Sequence, residues 1–142
     1  MFRKETLNVK IRLISRLLIL ILIAPIICQA QKPKLSANAK KAQELVDNLV
    51  KTDYVKATKD FNEEMKTKVT VPKLEEIWTT LIKQAGAFKK QLSTESSKVE
   101  DQGKPYEIVL VKCQFERAPA NVRVVFDVTS HQVAGLFFAP AS

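Results

Sequence analysis

The last third of the chain constrains the fold most. Pro105 to Pro140, PYEIVLVKCQFERAPANVRVVFDVTSHQVAGLFFAP, holds three β-strand patterns separated by short turns. Tyr106–Phe115 is apolar at nearly every position, which predicts a strand covered on both faces for part of its length. Arg117-Ala118-Pro119-Ala120-Asn121 reads as a turn. Val122–Val128 then alternates, with Val122, Val124, Phe126 and Val128 on one side and Arg123, Val125 and Asp127 on the other. Thr129-Ser130-His131 reverses the chain, Gln132–Phe138 returns, and Pro140 stops it. Strands joined this closely form an antiparallel meander, and its apolar side requires helices from elsewhere in the chain.

The preceding segment supplies them. Ser36 offers an N-cap oxygen to a helix running to about Val50, whose stripe is Ala39, Ala42, Val46, Leu49 and Val50. Asp53 caps a second helix with Tyr54, Ala57, Phe61 and Met65 on one face. Pro72 opens a third, Lys73 to about Ala85. Leu74, Ile77, Trp78, Leu81, Ile82 and Ala85 form its stripe, Glu75 and Glu76 its acidic first turn, and Gly86 its left-handed cap. Phe88–Leu92 is a candidate first strand, and the polar stretch to Gly103 extends it as an exposed edge or hairpin arm. Three helices followed by a meander give an α+β fold, with three N-terminal helices packed on an antiparallel β-sheet.

The first 30 residues do not belong to that domain. Basic residues (Arg3, Lys4, Lys10, Arg12, Arg16) precede an 11-residue apolar run, Leu17–Ile27, and the polar exit Cys28-Gln29-Ala30. This is the order of a secretory signal peptide cleaved after Ala30, and the run falls short of the roughly 20 residues of a membrane span. Two further readings stay open: a lipoprotein modified at Cys28, and an uncleaved anchor. Residues 31–35 form a short linker and 36–140 the domain, so a secreted or periplasmic location is expected. The leader holds five of the 23 basic and one of the 15 acidic residues, which leaves 18 and 14 and reduces the net charge from +8 to +4. Those lysines alternate with acids and lack clustered arginine and stacking aromatics, so neither a nucleic-acid partner nor, after cleavage, a membrane span is expected.

Chemistry-bearing motifs are sparse. Gly86, Gly103 and Gly135 lie too far apart for a nucleophile elbow, a phosphate loop or a dinucleotide fingerprint. With one histidine and one cysteine after cleavage, Cys113, no metal site, cofactor or disulfide is expected. Asp127, Ser130 and His131 are the residue types of an acyl-transfer triad, but their spacing confines them to one hairpin tip. Cys113, mid-strand, reads as a small buried hydrophobe. Gly135 marks a bulge, a bend that would curve the sheet, or close packing on a helix.

The order of these features resembles a family of unknown function found in secreted bacterial proteins, often placed ahead of an α/β-hydrolase domain. It is related to the nuclear-transport-factor-2-like, cystatin-like cone. The resembling pieces are Ala42, Val46 and Leu49; Asp53-Tyr54; Phe61-Asn62-Glu63-Glu64-Met65-Lys66; Leu74-Glu75-Glu76-Ile77-Trp78; Gly86-Ala87-Phe88; Val122–Asp127; and Val133–Pro140. The resemblance implies helices inside a strongly curved antiparallel sheet with a pocket at its open end, and no catalytic residues. The sequence ends at Ser142 without the hydrolase domain of longer members, so a hydrolase activity is not carried over. The expected function is a small exported non-enzymatic domain that binds a small molecule, peptide or envelope partner, with Trp78, Tyr106, Phe115, Phe126 and Phe137 as the pocket wall. Two alternatives are an enzyme using Asp127 or Glu107 as acid or base, and a structural module, including a homodimer.

Overall fold

The computed structural model describes residues 34–141. The signal peptide assigned to 1–30, and most of the linker after it, lie outside the described residues. Helix α1, Ala37–Val50, begins where Ser36 accepts from the Ala39 amide at 3.0 Å. It buries Ala39, Ala42, Leu45, Val46 and Leu49, while Val50, expected on the stripe, is 38% exposed at the helix end.

The second expected helix is two short ones, α2 (Tyr54–Ala57) and α3 (Glu63–Lys68), capped by Asp53 and Asn62 respectively. Asn62 breaks the helix because its side chain accepts from the Met65 amide at 2.8 Å while its backbone turns to the sheet. The Asn62 amide donates to the Val133 carbonyl at 3.0 Å and the Val133 amide to the Asp60 carbonyl at 2.7 Å. Phe61 thereby pairs in parallel with Val133 and is fully buried. Side-chain burial follows the expected face; the backbone does not, because two sheet hydrogen bonds replace helical ones.

Helix α4, Val71–Ala85, starts earlier than expected, with Thr70 at its N-cap and Pro72 in its first positions. Glu75 and Glu76 therefore fall beyond the first turn. At its end Gly86 has φ 86° and ψ −173°, a positive-φ extended geometry in place of the expected left-handed cap. A Cβ there would stand 2.7 Å from the Cβ of Glu116, so the close approach admits only glycine. The Arg117 guanidinium donates to the Lys83 carbonyl at 2.9 Å, closing the helix with a cation where its dipole is negative.

The sheet is an antiparallel meander in chain order: β1 (Phe88–Asp101), β2 (Lys104–Phe115), β3 (Pro119–Asp127) and β4 (Val133–Pro140). Strand β1 extends through the whole polar stretch, and Gln102 (φ 50°) and Gly103 (φ 75°) form the two-residue hairpin turn to β2. On β2, Val109, Val111, Cys113 and Phe115 are buried and alternate with half-buried Ile108, Leu110, Lys112 and Gln114. The expectation that β2 is covered on both faces for part of its length is not met among the described residues: helices cover one face, and Ile108 and Leu110 on the other stay half-buried on an open sheet surface. Val122, Val124 and Phe126 face the helices as expected, whereas Val128 lies in the turn.

Three register shifts bend this regular pattern. Two lie in β1, skipping Lys89 and Leu92, and bring Phe88, Gln91 and Thr94 to the helix side at a spacing of three. The third skips Ala134 in β4, so that Val133 opposes Phe126 and Leu136 opposes Val124. The irregularity expected at Gly135 is this bulge, one residue earlier. Gly135 itself faces away from the helices, where an added Cβ would meet Phe137 at 3.0 Å and Val125 at 3.4 Å.

The two ends of the Phe61 segment separate core from surface. Phe61→Ala is expected to lower unfolding free energy by about 3–5 kcal/mol. Val55→Ala, at a residue 70% exposed, should change it by less than about 0.5 kcal/mol. Urea unfolding of the two variants checks both; equal effects would show that Phe61 does not anchor this segment.

Candidate functional site

The five expected wall residues do not meet around one cavity. Trp78 is 4% exposed, and Phe115 and Phe126 are completely buried. Trp78 packs tilted on Phe115 at 5.9 Å and on Phe138 at 6.1 Å, and Phe88 meets Phe115 edge-on at 5.7 Å. These rings fill the helix–sheet interface. Tyr106 and Phe137 instead lie on the opposite face of the sheet, Phe137 being 54% exposed. Alternation along β4 should have put Phe137 beside Gly135 and away from Phe138, but the bulge at Ala134 hides which of the two sets faces inward.

A concave surface does form between α4, the start of β3 and the end of β4. It is a groove of about 420 Å³ with Ile77, Leu81 and Ala85 on one wall and Ala118, Pro119, Ala120, Phe138, Ala139 and Pro140 on the other. Lys73, Glu76, Thr80 and Gln84 form its polar rim, with Lys73 and Glu76 paired at 2.9 Å. Ile77 and Leu81 sit one turn apart on α4, so their side chains stack along the same wall. The groove exists because the apolar stripe of α4 is wider than the strip of sheet available to it: Leu74 and Trp78 are buried, while Ile77 and Leu81 are left half-covered. The width of that stripe is the sequence signal for the groove. Phe138 connects it to the core, since its ring also rests on Trp78.

The two candidate acids have structural partners. Glu107 is 7% exposed on the helix side of β2 and accepts from Ser36 Oγ at 2.6 Å and Asn38 Nδ2 at 2.8 Å. Asp127 accepts from the amides of Thr129 at 2.7 Å and Ser130 at 3.0 Å. The Ser130 amide, then that of Thr129, holds the Asp127 carboxyl below its ordinary 3.8, the reverse of the direction a general acid near neutrality needs. Asp127, Ser130 and His131 are a hairpin tip, and His131 takes a positive φ of 56° there. Cys113 is fully buried, and desolvation pushes its thiol up to about 11. Among the described residues no His, Cys, Asp and Glu gather in threes, and no helix is long and apolar enough to cross a membrane.

Two outcomes follow for the acids. Glu107→Ala leaves Asn38 without its charged acceptor and should cost about 3 kcal/mol by thermal or urea unfolding; a neutral effect would remove the cluster's structural role. For Asp127 the folded-state pKa is depressed, so its stabilisation is present above the ordinary value of 3.8 and disappears as pH falls through the lower folded value. The stability difference between the parent chain and Asp127→Asn, followed by pH-dependent unfolding, should therefore shrink on acidification; a difference that grows would contradict the assigned cap.

A solution structure of a protein from Ruminococcus gnavus ATCC 29149 has a similar fold. The TM-score is 0.57 at 15% identity, covering 73% of this chain and 95% of that one. No curated protein matches the chain. Residues 42–136, from the first turns of α1 through the bulged start of β4, match the family described as "Protein of unknown function (DUF3887)", and the chain belongs to that family.

Proposed function

We propose that this chain is an exported, non-enzymatic binding domain that takes a small, largely apolar ligand in the groove between α4 and the β3–β4 ends. The observation that carries this reading is the groove itself. Its volume of about 420 Å³, apolar walls and few rim groups match what small-molecule sites require. In this reading the leader directs export to the envelope or the medium. The three bulges curl the sheet around its helices as a cystatin-like cone, and the ligand sits at the rim because aromatic rings occupy the interior. An acid–base enzyme is the weaker reading, since Asp127 caps a turn and Glu107 is engaged by Ser36 and Asn38.

The anionic aromatic probe 1-anilinonaphthalene-8-sulfonate tests the site, because its fluorescence rises on entering an apolar pocket. The parent chain should enhance it. Ile77→Glu, at a half-buried groove wall, should lower the affinity about 10-fold or more, as expected for a charge placed in a desolvating contact. Phe137→Ser, on the other face of the sheet, should leave it unchanged. Enhancement lost with Phe137→Ser and retained with Ile77→Glu would move the site off the groove.

A further inference from the structure

The open face of the sheet has an apolar centre, Ile108, Leu110 and Val125, where a solvent-facing antiparallel sheet ordinarily carries polar side chains, and charged residues surround it. The pairing registers place Ile108 opposite Val125, Tyr106 opposite Asp127, and Leu110 between Glu95 on β1 and Arg123 on β3. Phe137, next in that last row, lies under the Arg123 guanidinium at 5.4 Å from the ring centre. None of the ion pairs among the described residues uses Glu95 or Arg123.

We propose that two copies of this chain associate through this face, sheet on sheet, about a two-fold axis running between β2 and β3. The surface carries charges of both signs, and their placement is self-complementary. Such a rotation exchanges β2 with β3 and β1 with β4. It puts Ile108 of one copy on Val125 of the other, the Tyr106 hydroxyl on the Asp127 carboxylate, and Leu110 on the alkyl stem of Arg123. Glu95 arrives over Phe137, where its carboxylate meets the guanidinium already lying on that ring. Each contact occurs twice, and apolar surface meets apolar surface or donor meets acceptor. An axis along β2 would stack Lys112 on Lys112 and one along β3 Arg123 on Arg123, so like charges disfavour both, whereas the axis between β2 and β3 sets opposite charges together. A concavity of about 520 Å³ on this face, with Tyr106, Ile108 and Val125 among its lining, gives the incoming Tyr106 and Ile108 a place to enter. The seven rows in which all four strands pair, at about 3.4 Å per row and about 4.8 Å between strands, cover roughly 450 Å² per copy. Stable complexes bury about 800 Å² per partner, so the dimer is weak, with a Kd on the order of micromolar. The groove beside α4 takes no part in this contact, and the inference does not depend on what the groove binds.

Sedimentation equilibrium of the full chain, expressed with its leader and purified as the cell delivers it, tests the proposal. The expected result is a monomer–dimer equilibrium below about 100 μM. Glu95→Arg and Arg123→Glu should each raise Kd about 10-fold or more by setting like charges against each other. The double variant E95R/R123E, which restores opposite signs across the axis, should return Kd to within about threefold of the parent, as expected when the charges rather than new contacts decide. Glu95→Arg disturbs no ion pair among the described residues, so it carries the reading even if Arg123→Glu loosens Phe137. A parent chain monomeric throughout that range, single variants that dimerise unchanged, or a double variant no tighter than the singles would each overturn the proposal.

Discussion

Among the described residues helices cover one face of the sheet only, and much of the packing follows from that limit. A regular strand delivers one side chain in two to the helices. Val109, Val111, Cys113 and Phe115 do so on β2, and Val122, Val124 and Phe126 on β3, all with no more than a trace of exposure. Where regular alternation would misplace a residue, the strand takes a bulge. Skipping Ala134 lets Val133 and Leu136 both reach the inner side, and the same Val133 is then free to pair with Phe61. One irregularity in β4 therefore seats the break between α2 and α3, through two backbone hydrogen bonds that helix continuity would have prevented.

Strong periodicity was legible and local backbone choices were not. The stripes of α1 and α4, the alternation of β3 and the meander order could be read because each repeats several times, and repetition averages out single exceptions. The capping role of Asn62 was hidden because the apolar spacing from Tyr54 through Met65 is preserved across the break: a bridge to Val133 places Phe61 where a helix would also have placed it. Tyr106–Phe115 read as doubly covered because composition along a strand cannot distinguish a second layer of helix from an apolar surface left open. For the site, aromatic residues drew the reading toward Trp78, Phe115 and Phe126, whose rings fill the core. The groove uses Ile77, Leu81 and Phe138, ordinary core-type residues that only their position at the sheet's margin leaves half-covered.

A filled core restricts where this domain can act. With Trp78 held between Phe115 and Phe138, a ligand entering the interior would have to displace rings that each bury a large apolar area. Surfaces already partly uncovered carry no such cost. The groove beside α4 and the open sheet face are both of that kind. They differ in polarity: the groove walls are mostly aliphatic, whereas the sheet face interleaves Arg123, Glu95 and Asp127 with Ile108, Leu110 and Val125. The first suits a small apolar molecule, and the second suits a surface that must match charges across a wide contact.

Glu107 shows how register is held between the layers. A carboxylate on the inner face of a strand is costly unless hydrogen-bonded, and here Ser36 and Asn38 supply both bonds from the start of α1. Ser36 also accepts from the Ala39 amide, so one hydroxyl begins the helix and fastens it to β2. The N-terminal end of α1, with its partial positive charge, lies against the carboxylate. Sliding β2 by one residue would turn Glu107 outward and bring Ile108 in. That slip would strand the Asn38 amide in a site where it is 3% exposed and its Oδ1 already lacks a partner. The hydrophobic pattern of β2 and this polar cluster therefore specify the same register, and the cluster penalises the slip at the one end of the strand where Tyr106 and Ile108 make the apolar pattern ambiguous.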